Sequence, residues 1–274
     1  MIQNKAMLVS LSISSWAARK QDKRVTAEVE TTHGAHNSGT FNKALVNKGL
    51  LEPVNKVTAE ARKMHHFYTQ PWTDDGRRIL SSKNFMLCTG DIRKIKGDFD
   101  SAVNTLLAQY PAEVQAARNR LGTMYDPGDY PDPADIASKF SFELKFEPIP
   151  DGHDFRVDLS TEALTELRQS VTHDVVLRQA KAMESCYSRL REVVSKVEER
   201  LSIPDAIFKD SLIQNVKDEC SIMDGLNITD DAVLTSLVSQ IQDQLIVPPS
   251  TLRNSPFTRA RVANAAAALL QQIP

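Results

Sequence analysis

The chain has 274 residues, 41% of them hydrophobic, so it can bury a substantial core in one or two domains. Three widely spaced cysteines (Cys88, Cys186 and Cys220) argue against a disulfide framework and against a Cys-x-x-Cys metal site, and we expect buried thiols. The apolar run within residues 7–16 is short and interrupted by serines, which does not fit a secretory signal or a membrane span. The expected compartment is therefore the cytoplasm.

The net charge of −2 is unevenly distributed along the chain. Residues 1–120 carry a net charge of +7, and the remaining residues carry −9. A basic front and an acidic back favour two surfaces with different partners. The alternative is ordinary variation of charge along a solvated surface.

The first elements are a strand and a helix. Between Val9 and Ile13 apolar residues alternate with serine, which predicts a half-buried strand. From Ser15 the spacing becomes helical. A helix here places four cations on one face, namely Arg19, Lys20, Lys23 and Arg24.

A loop and further helices follow. Residues 32–40 contain two glycines and lack periodicity, so a loop is predicted. Residues 41–47 and 52–68 are expected to be helical, with Pro53 in the first turn of the second helix. Residues 71–82 have turn chemistry. Helices are then predicted over residues 84–110 and 111–121, before a turn-rich boundary at residues 126–133.

A β-hairpin is predicted over residues 140–159. Phe140, Phe142, Leu144 and Phe146 alternate with polar residues, and a second alternation runs from Phe155 to Leu159. Because an isolated hairpin is only marginally stable, we expect the N-terminal strand to join it as a third strand.

A helix is predicted over residues 160–201, which contain no proline or glycine. Ser160 or Thr161 can cap its first turn. Its second half has a heptad spacing, and a straight helix of this length is roughly 60 Å long, so we expect self-association through this seam. The seam consists of Met183, Tyr187, Leu190, Val194, Val197 and Leu201.

Three more helices are predicted over about residues 205–223, 229–245 and 256–272. The expected fold is therefore α+β and mostly α-helical, with a small antiparallel sheet, the long helix 160–201 and a C-terminal helical bundle. The predicted division is a basic front half, residues 1–159, and an acidic half, residues 160–274.

Motifs for catalysis are absent from the sequence. It contains no phosphate-binding glycine loop, no nucleophile elbow and no His-Glu-x-x-His, so we predict no catalytic residue, no metal, no cofactor and no enzymatic activity. A metal-dependent hydrolase is the alternative. It would use histidines such as His33, His36, His65 and His66, or the dipeptides at 153–154 and 173–174.

Cations with interleaved aromatic residues favour nucleic-acid binding, because cations follow phosphates while rings stack on the bases of single strands. The aromatic residues are Trp16, Phe67, Tyr68 and Trp72. The alternative is that these rings are core anchors and that the cations lie on solvated helix faces. The candidate cations are Arg19, Lys20, Lys23, Arg24, Arg62, Lys63, Arg77, Arg78, Arg93, Lys94 and Lys96.

A further observation concerns residues 12–26, 70–85, 119–122, 129–131 and 148–159, together with the chain up to residues 227–234. Taken together, these segments resemble an uncharacterised family of proteins from tailed bacteriophages and related mobile elements. It implies expression in the cytoplasm of an infected bacterial cell, but it assigns no activity to any residue.

The expected function is a non-enzymatic, oligomeric phage accessory protein that binds single-stranded DNA or RNA in DNA metabolism. The alternative is an interaction protein, either a partner of a phage ATPase or an inhibitor of a host defence or regulatory system. No membrane partner is expected.

Overall fold

The computed structural model describes residues 2–151 and 160–274, and it confirms the predicted α+β, mostly helical class. The strands are β1 (Ala6–Ser14), β2 (Arg19–Gln21), β3 (Asn42–Ala44), β4 (Gln70–Pro71), β5 (Arg78–Ser81) and β6 (Ser141–Glu147). The helices are α1 (Lys23–His33), α2 (Lys48–Tyr68), α3 (Ser82–Leu121), α4 (Pro133–Ala137), α5 (Thr161–Leu201), α6 (Ser211–Leu226), α7 (Ala232–Leu245), α8 (Pro249–Asn254) and α9 (Pro256–Gln272).

The chain forms two compact units, each built from separated segments. The first, called here the bundle unit, comprises residues 1–10, 66–89 and 145–274. The second, the cleft unit, comprises residues 11–65 and 90–144. These units follow contacts, whereas the predicted division at residue 159 follows the end of the hairpin and the start of the long helix.

The main sheet has four strands in the order β4-β5-β1-β6. In the bundle unit β1 pairs antiparallel with β5, Ala6 lying opposite Ser81, and β4 pairs with the other edge of β5. The strands of residues 9–13 and 140–146 are confirmed, but β4 and β5 arise where only turns were predicted. The predicted second strand of the hairpin, residues 155–159, lies outside the described residues.

Helices α5, α6, α7 and α9 form the helical part of the bundle unit, with α5 packed on α6 and α9. The predicted long helix is confirmed, and Ser160 caps it by accepting from the Ala163 N–H. The predicted self-association through its seam needs correction. Of the six seam residues, Tyr187 is half-buried and the other five are buried within the subunit, so this stripe is not an exposed surface for a second copy.

The core of the cleft unit lies between α2, α3 and the segment around Trp16. The Trp16 ring meets the Tyr110 ring edge to face, with centroids 5.6 Å apart. Helix α3 continues through Pro111, where a break between two helices was predicted. Since Leu106, Tyr110 and Ala117 are all buried, packing on both sides of the proline stabilises the continuous helix.

Two local predictions in the cleft unit are wrong. The helix expected from Ser15 begins only at Lys23, because Asp22 caps it there, and Arg19 and Lys20 lie on β2 instead. The helix expected over residues 41–47 is absent, and β3 pairs with β2 in that place. Helix α2 also begins earlier than predicted, at Lys48, so Pro53 lies inside it.

Candidate nucleic-acid interface

A cleft of about 640 Å³ lies within the cleft unit. One wall is formed by β2, β3 and the start of α1, and the other by the chain that follows α3. Four basic and three acidic side chains line it, together with Tyr125. The lining residues are Lys20, Gln21, Asp22, Lys23, Arg24, Lys43, Thr123, Met124, Tyr125, Asp126, Pro127 and Asp129.

The first wall follows from strand pairing and helix capping. In the antiparallel pair of β2 and β3, Lys20 lies directly opposite Lys43, so both side chains project from the same face. Arg19, one residue earlier, projects from the other face. Asp22 then ends β2 and starts α1, because its carboxylate accepts from the N–H groups of Arg24 and Val25.

Lys43 lies at the floor of the cleft and is almost fully buried. Its ammonium is 2.6 Å from the Asp129 carboxylate and 3.4 Å from that of Asp22, and it donates to the Met124 carbonyl at 2.7 Å. Burial acts against its charged form, but the carboxylates of Asp129 and Asp22 outweigh burial and raise the pKa of Lys43. The Val25 N–H, together with Lys43, lowers the pKa of Asp22.

The second wall consists of two short 3₁₀ turns, residues 122–124 and 127–129. Helix α3 ends at Leu121, and the next residue, Gly122, has φ +53°. The Asp126 carboxylate accepts from the Gly128 N–H at 2.9 Å and so fixes the second turn. Between the turns, the Tyr125 ring packs against Tyr130, with centroids 5.3 Å apart and planes at 32°.

Positive charge is concentrated at the mouth of the cleft. Lys20, Lys23 and Arg24 are exposed there, and no ion pair joins any of them to a described residue. Arg24 donates to the Thr123 carbonyl at 2.7 Å, which holds its guanidinium across the cleft. Lys23 and Arg24 also occupy the first turn of α1, which has no acidic residue.

Cations at the start of a helix lie at the positive end of the helix dipole, where each is unfavourable by about 0.3–1 kcal/mol. The three acidic side chains of the cleft are already engaged. Asp22 and Asp129 lie on Lys43, and Asp126 holds Gly128. The lining as a whole carries four cations and three carboxylates, a net charge of +1, and the three cations without a described ion-pair partner lie at the mouth.

Other predicted cations of the cleft unit lie on helix surfaces. Arg62 and Lys63 are exposed on α2, and Lys63 lies 3.8 Å from Glu60. Arg93, Lys94 and Lys96 are exposed on α3, and Lys96 pairs with Asp100 at 2.9 Å. None of these five is among the described residues that line the cleft.

The last two predicted cations belong to the bundle unit and have internal partners. Arg77 lies 3.3 Å from Glu147. Arg78 is half-buried and donates to the side chain and the carbonyl of Thr69, at 2.7 and 3.0 Å. Burial, with the nearby Arg189, lowers the pKa of Arg78 to about 10. Arg78 is therefore engaged by partners inside its own unit.

The two tryptophans are core residues. Trp16 is 8% exposed and Trp72 is 4% exposed, which leaves neither ring a free face for a base. Tyr68 is also buried, and Phe67 packs against it. The interpretation as core anchors is therefore correct for Trp16 and Trp72, whereas Phe67 is half-buried.

Sequence reasoning missed Lys43, Asp129 and Tyr125. The turn-rich run at residues 126–133 was interpreted only as a boundary, although its prolines and aspartates build the second wall. Lys43 carries no pattern, since it lies in a strand of three residues. Three residues, from Asn42 to Ala44, are too few to show the alternation typical of a strand.

The three cysteines are free and buried, and burial raises the pKa of Cys186 and of Cys220 to about 12. Within residues 2–151 and 160–274, no group of His, Cys, Asp and Glu is arranged to hold a metal ion. The dipeptide at residues 153–154 lies outside the described residues. No described helix has both the length and the apolar content needed to cross a bilayer.

No protein family, curated protein or solved structure matches the chain.

Proposed function

We propose that this protein is a non-enzymatic accessory factor that binds single-stranded nucleic acid, with phosphates held at the mouth of the cleft. The observation that carries the proposal is the position of Lys20, Lys23 and Arg24. All three are exposed at one cleft, without a described ion-pair partner.

Helix energetics support a role for these cations. At the start of α1 the Asp22 cap supplies one negative charge, but Lys23 and Arg24 follow it in the first turn, where a further acidic residue would be favourable. Local rules are most often violated at functional sites. A bound phosphate would reverse the unfavourable term, because it would bring negative charge to the positive end of the helix.

The proposed setting is the cytoplasm of an infected bacterial cell, as the resemblance noted in the sequence implies. Association with further copies stays part of the proposal, but through a surface other than the buried α5 seam. Exposed cations of α2 and α3, such as Arg62 and Arg93, are proposed as further phosphate contacts outside the cleft.

Fluorescence anisotropy with a labelled single strand at two salt concentrations tests the proposal. Binding should weaken as salt rises, since each phosphate contact of a single strand contributes a slope of about −0.7 to log K against log salt. The variant Lys20→Gln/Lys23→Gln should reduce that slope by roughly 1.4.

The control is Lys181→Gln/Lys217→Gln, which changes net charge equally at exposed positions of the bundle unit. It should keep the slope of the parent. Absence of wild-type binding at low salt would overturn the proposal.

A second candidate function is a protein interaction factor, favoured by an apolar patch at one end of the bundle unit. Ile203, Ile207 and Phe257 are 55%, 92% and 80% exposed. The Arg259 guanidinium donates to the carbonyls of Ile203 and Ala206, both at 2.8 Å, and so ties the start of α9 to the loop after α5. Isolated exposed apolar residues are ordinary, but three on two segments that Arg259 ties together favour a protein contact.

The two candidates can be separated by variants. Ile207→Glu/Phe257→Glu should abolish capture of a phage or host protein from infected cells and leave anisotropy unchanged. Lys20→Gln/Lys23→Gln should weaken the binding that anisotropy measures and leave capture of the protein partner unchanged. Capture that survives the patch variant would show that these residues are not the contact, and absence of capture by the wild-type protein would remove the second candidate.

A further inference from the structure

Tyr125 has a position in the cleft that its neighbours fix. It lies between the two 3₁₀ turns, and its N–H donates to the Gly122 carbonyl at 3.1 Å. On one side its ring contacts Tyr130, with centroids 5.3 Å apart. The Tyr130 hydroxyl in turn donates to the Leu45 carbonyl at 3.0 Å, so the supporting ring is anchored to the other wall.

The side chain of Tyr125 is half-buried and lines the same space as Lys20, Lys23 and Arg24. Aromatic rings beside cations bind single strands without reading sequence, because every base has a face that can stack and every nucleotide carries a phosphate. Trp16 and Trp72 do not have this arrangement, since both are buried.

We infer that Tyr125 is the stacking platform for one unpaired base of the bound strand, with the adjacent phosphates on Lys20 and Lys23. This inference rests on the proposed function and names the feature of the ligand that the cleft selects. A base inside a duplex is already stacked on both faces, so it has no free face for Tyr125. The cleft therefore selects single-stranded over double-stranded nucleic acid.

The direct test uses the wild-type protein and a short oligonucleotide that contains one 2-aminopurine. Stacking on a tyrosine quenches the fluorescence of this base, so binding should be accompanied by a fall in its emission at low salt. A duplex carrying the same base should compete at least tenfold more weakly than the single strand.

Variants test whether Tyr125 is the ring on which the base stacks. Tyr125→Leu should weaken single-strand binding about tenfold and reduce the preference over duplex, while the salt slope stays that of the parent. Tyr125→Phe keeps the ring and should rescue most of the lost affinity. Phe146→Leu is the control, because Phe146 is a partly exposed ring of the bundle unit that packs on Phe85 with centroids 5.4 Å apart.

The outcomes separate the inference from the proposed function. Salt-dependent binding by wild type, with no quenching and with Tyr125→Leu equal to wild type, would overturn the stacking role alone. No binding of either strand form by wild type at low salt would overturn both. Circular dichroism of Tyr125→Leu identifies a variant that has failed to fold, in which case the wild-type quenching measurement decides.

Discussion

The Lys43 ammonium lies 2.6 Å from the Asp129 carboxylate, although 86 positions separate the two residues in the chain. With Asp22 on its other side, Lys43 joins β3, the cap of α1 and the turn at residues 127–129. The floor of the cleft is therefore held by charge as well as by apolar packing.

Lys43→Met should destabilise the cleft unit by about 2 kcal/mol, because it leaves two carboxylates facing each other without a cation. Urea unfolding followed by Trp16 fluorescence in a Trp72→Phe background measures the change, since Trp16 is buried in this unit. Lys20→Met is the control. Lys20 lies opposite Lys43 on β2 but is exposed, so it should change stability by less than about 0.5 kcal/mol. Equal effects of the two variants would contradict the role given to Lys43.

Asp22 gives the stability a dependence on pH. The pKa of Asp22 in the folded protein is lowered from 3.8 by the Val25 N–H and by Lys43, so its contribution is complete above 3.8 and is lost as pH falls through the lowered value. Asp22→Asn should therefore destabilise the protein at pH 7, and the difference in unfolding free energy between this variant and wild type should shrink at lower pH.

The pKa of Lys43 is raised above 10.5, so the contribution of Lys43 is complete below 10.5 and is lost as pH rises through the raised value. Urea unfolding at pH 3, 7 and 11 checks both limits. A constant difference between Asp22→Asn and wild type at pH 3 and pH 7 would refute the first.

Gly225 in α6 is required by the close approach of Asn84 at the start of α3. A Cβ at position 225 would lie 1.9 Å from the Asn84 Oδ1, and Asn84 is buried. Gly225→Ala should destabilise the bundle unit by about 1–3 kcal/mol. Adding Asn84→Ala should cost less than the sum of the two single changes, because it removes the clashing atoms.

The glycine control is Gly97→Ala in α3, where a methyl group would meet no neighbouring atom within 4 Å. It should stabilise the protein by up to about 1 kcal/mol, since alanine is the better helix former. Strictly additive effects of the changes at 225 and 84 would count against the contact.

Arg189 links α5 to α6 and to the end of α2 in the bundle unit. It lies 2.6 Å from Glu219 on α6 and donates to the Phe67 carbonyl at 3.0 Å. Arg189→Met should destabilise this unit by about 3 kcal/mol, because the Glu219 carboxylate would stay buried without a partner. Lys196→Met, which removes an exposed pair with Glu192, should change stability by less than about 0.5 kcal/mol. Unfolding monitored by Trp72 in a Trp16→Phe background measures both, and similar values would argue against a special role for Arg189.

Leu190 tests what the seam of α5 does. It is fully buried against the subunit's own helices, so Leu190→Ala should destabilise the protein by about 3 kcal/mol. Light scattering should give the same molar mass for variant and wild type. A variant of lower mass and unchanged stability would mean that the seam joins separate chains.

The parts of the fold that were predictable have strong local signals. Helix α5 lacks proline and glycine and has Ser160 as its cap, and β1 and β6 alternate apolar with polar residues. The heptad seam correctly identified a buried face but not what covers it, because another chain and the chain's own helices satisfy the same pattern.

The parts that failed depend on contacts distant in sequence. Strands β2 and β3 have three residues each, too few for a period, and they form because they pair with each other. Pro111 ends a helix by local rules but lies inside α3, since burial of Tyr110 and Ala117 outweighs one lost hydrogen bond. The cleft was partly predictable. Lys20, Lys23 and Arg24 were found by composition, whereas Lys43 and Tyr125 become visible only once the walls are assembled.

Because each unit is built from separated segments of the chain, the residues of the two units are completed at different times during translation. The cleft unit has all its residues once position 144 has left the ribosome, so it can fold while synthesis continues. The bundle unit must wait much longer, since Lys5 near its start is paired with Asp230. Strand β1 has both of its neighbours, β5 and β6, once residue 147 has been made, but the helices α5 to α9 that complete the core of this unit follow later, and apolar surface left exposed until then favours aggregation. Slow elongation between residues 144 and 230 should therefore lower the yield of native protein more than slow elongation before residue 60.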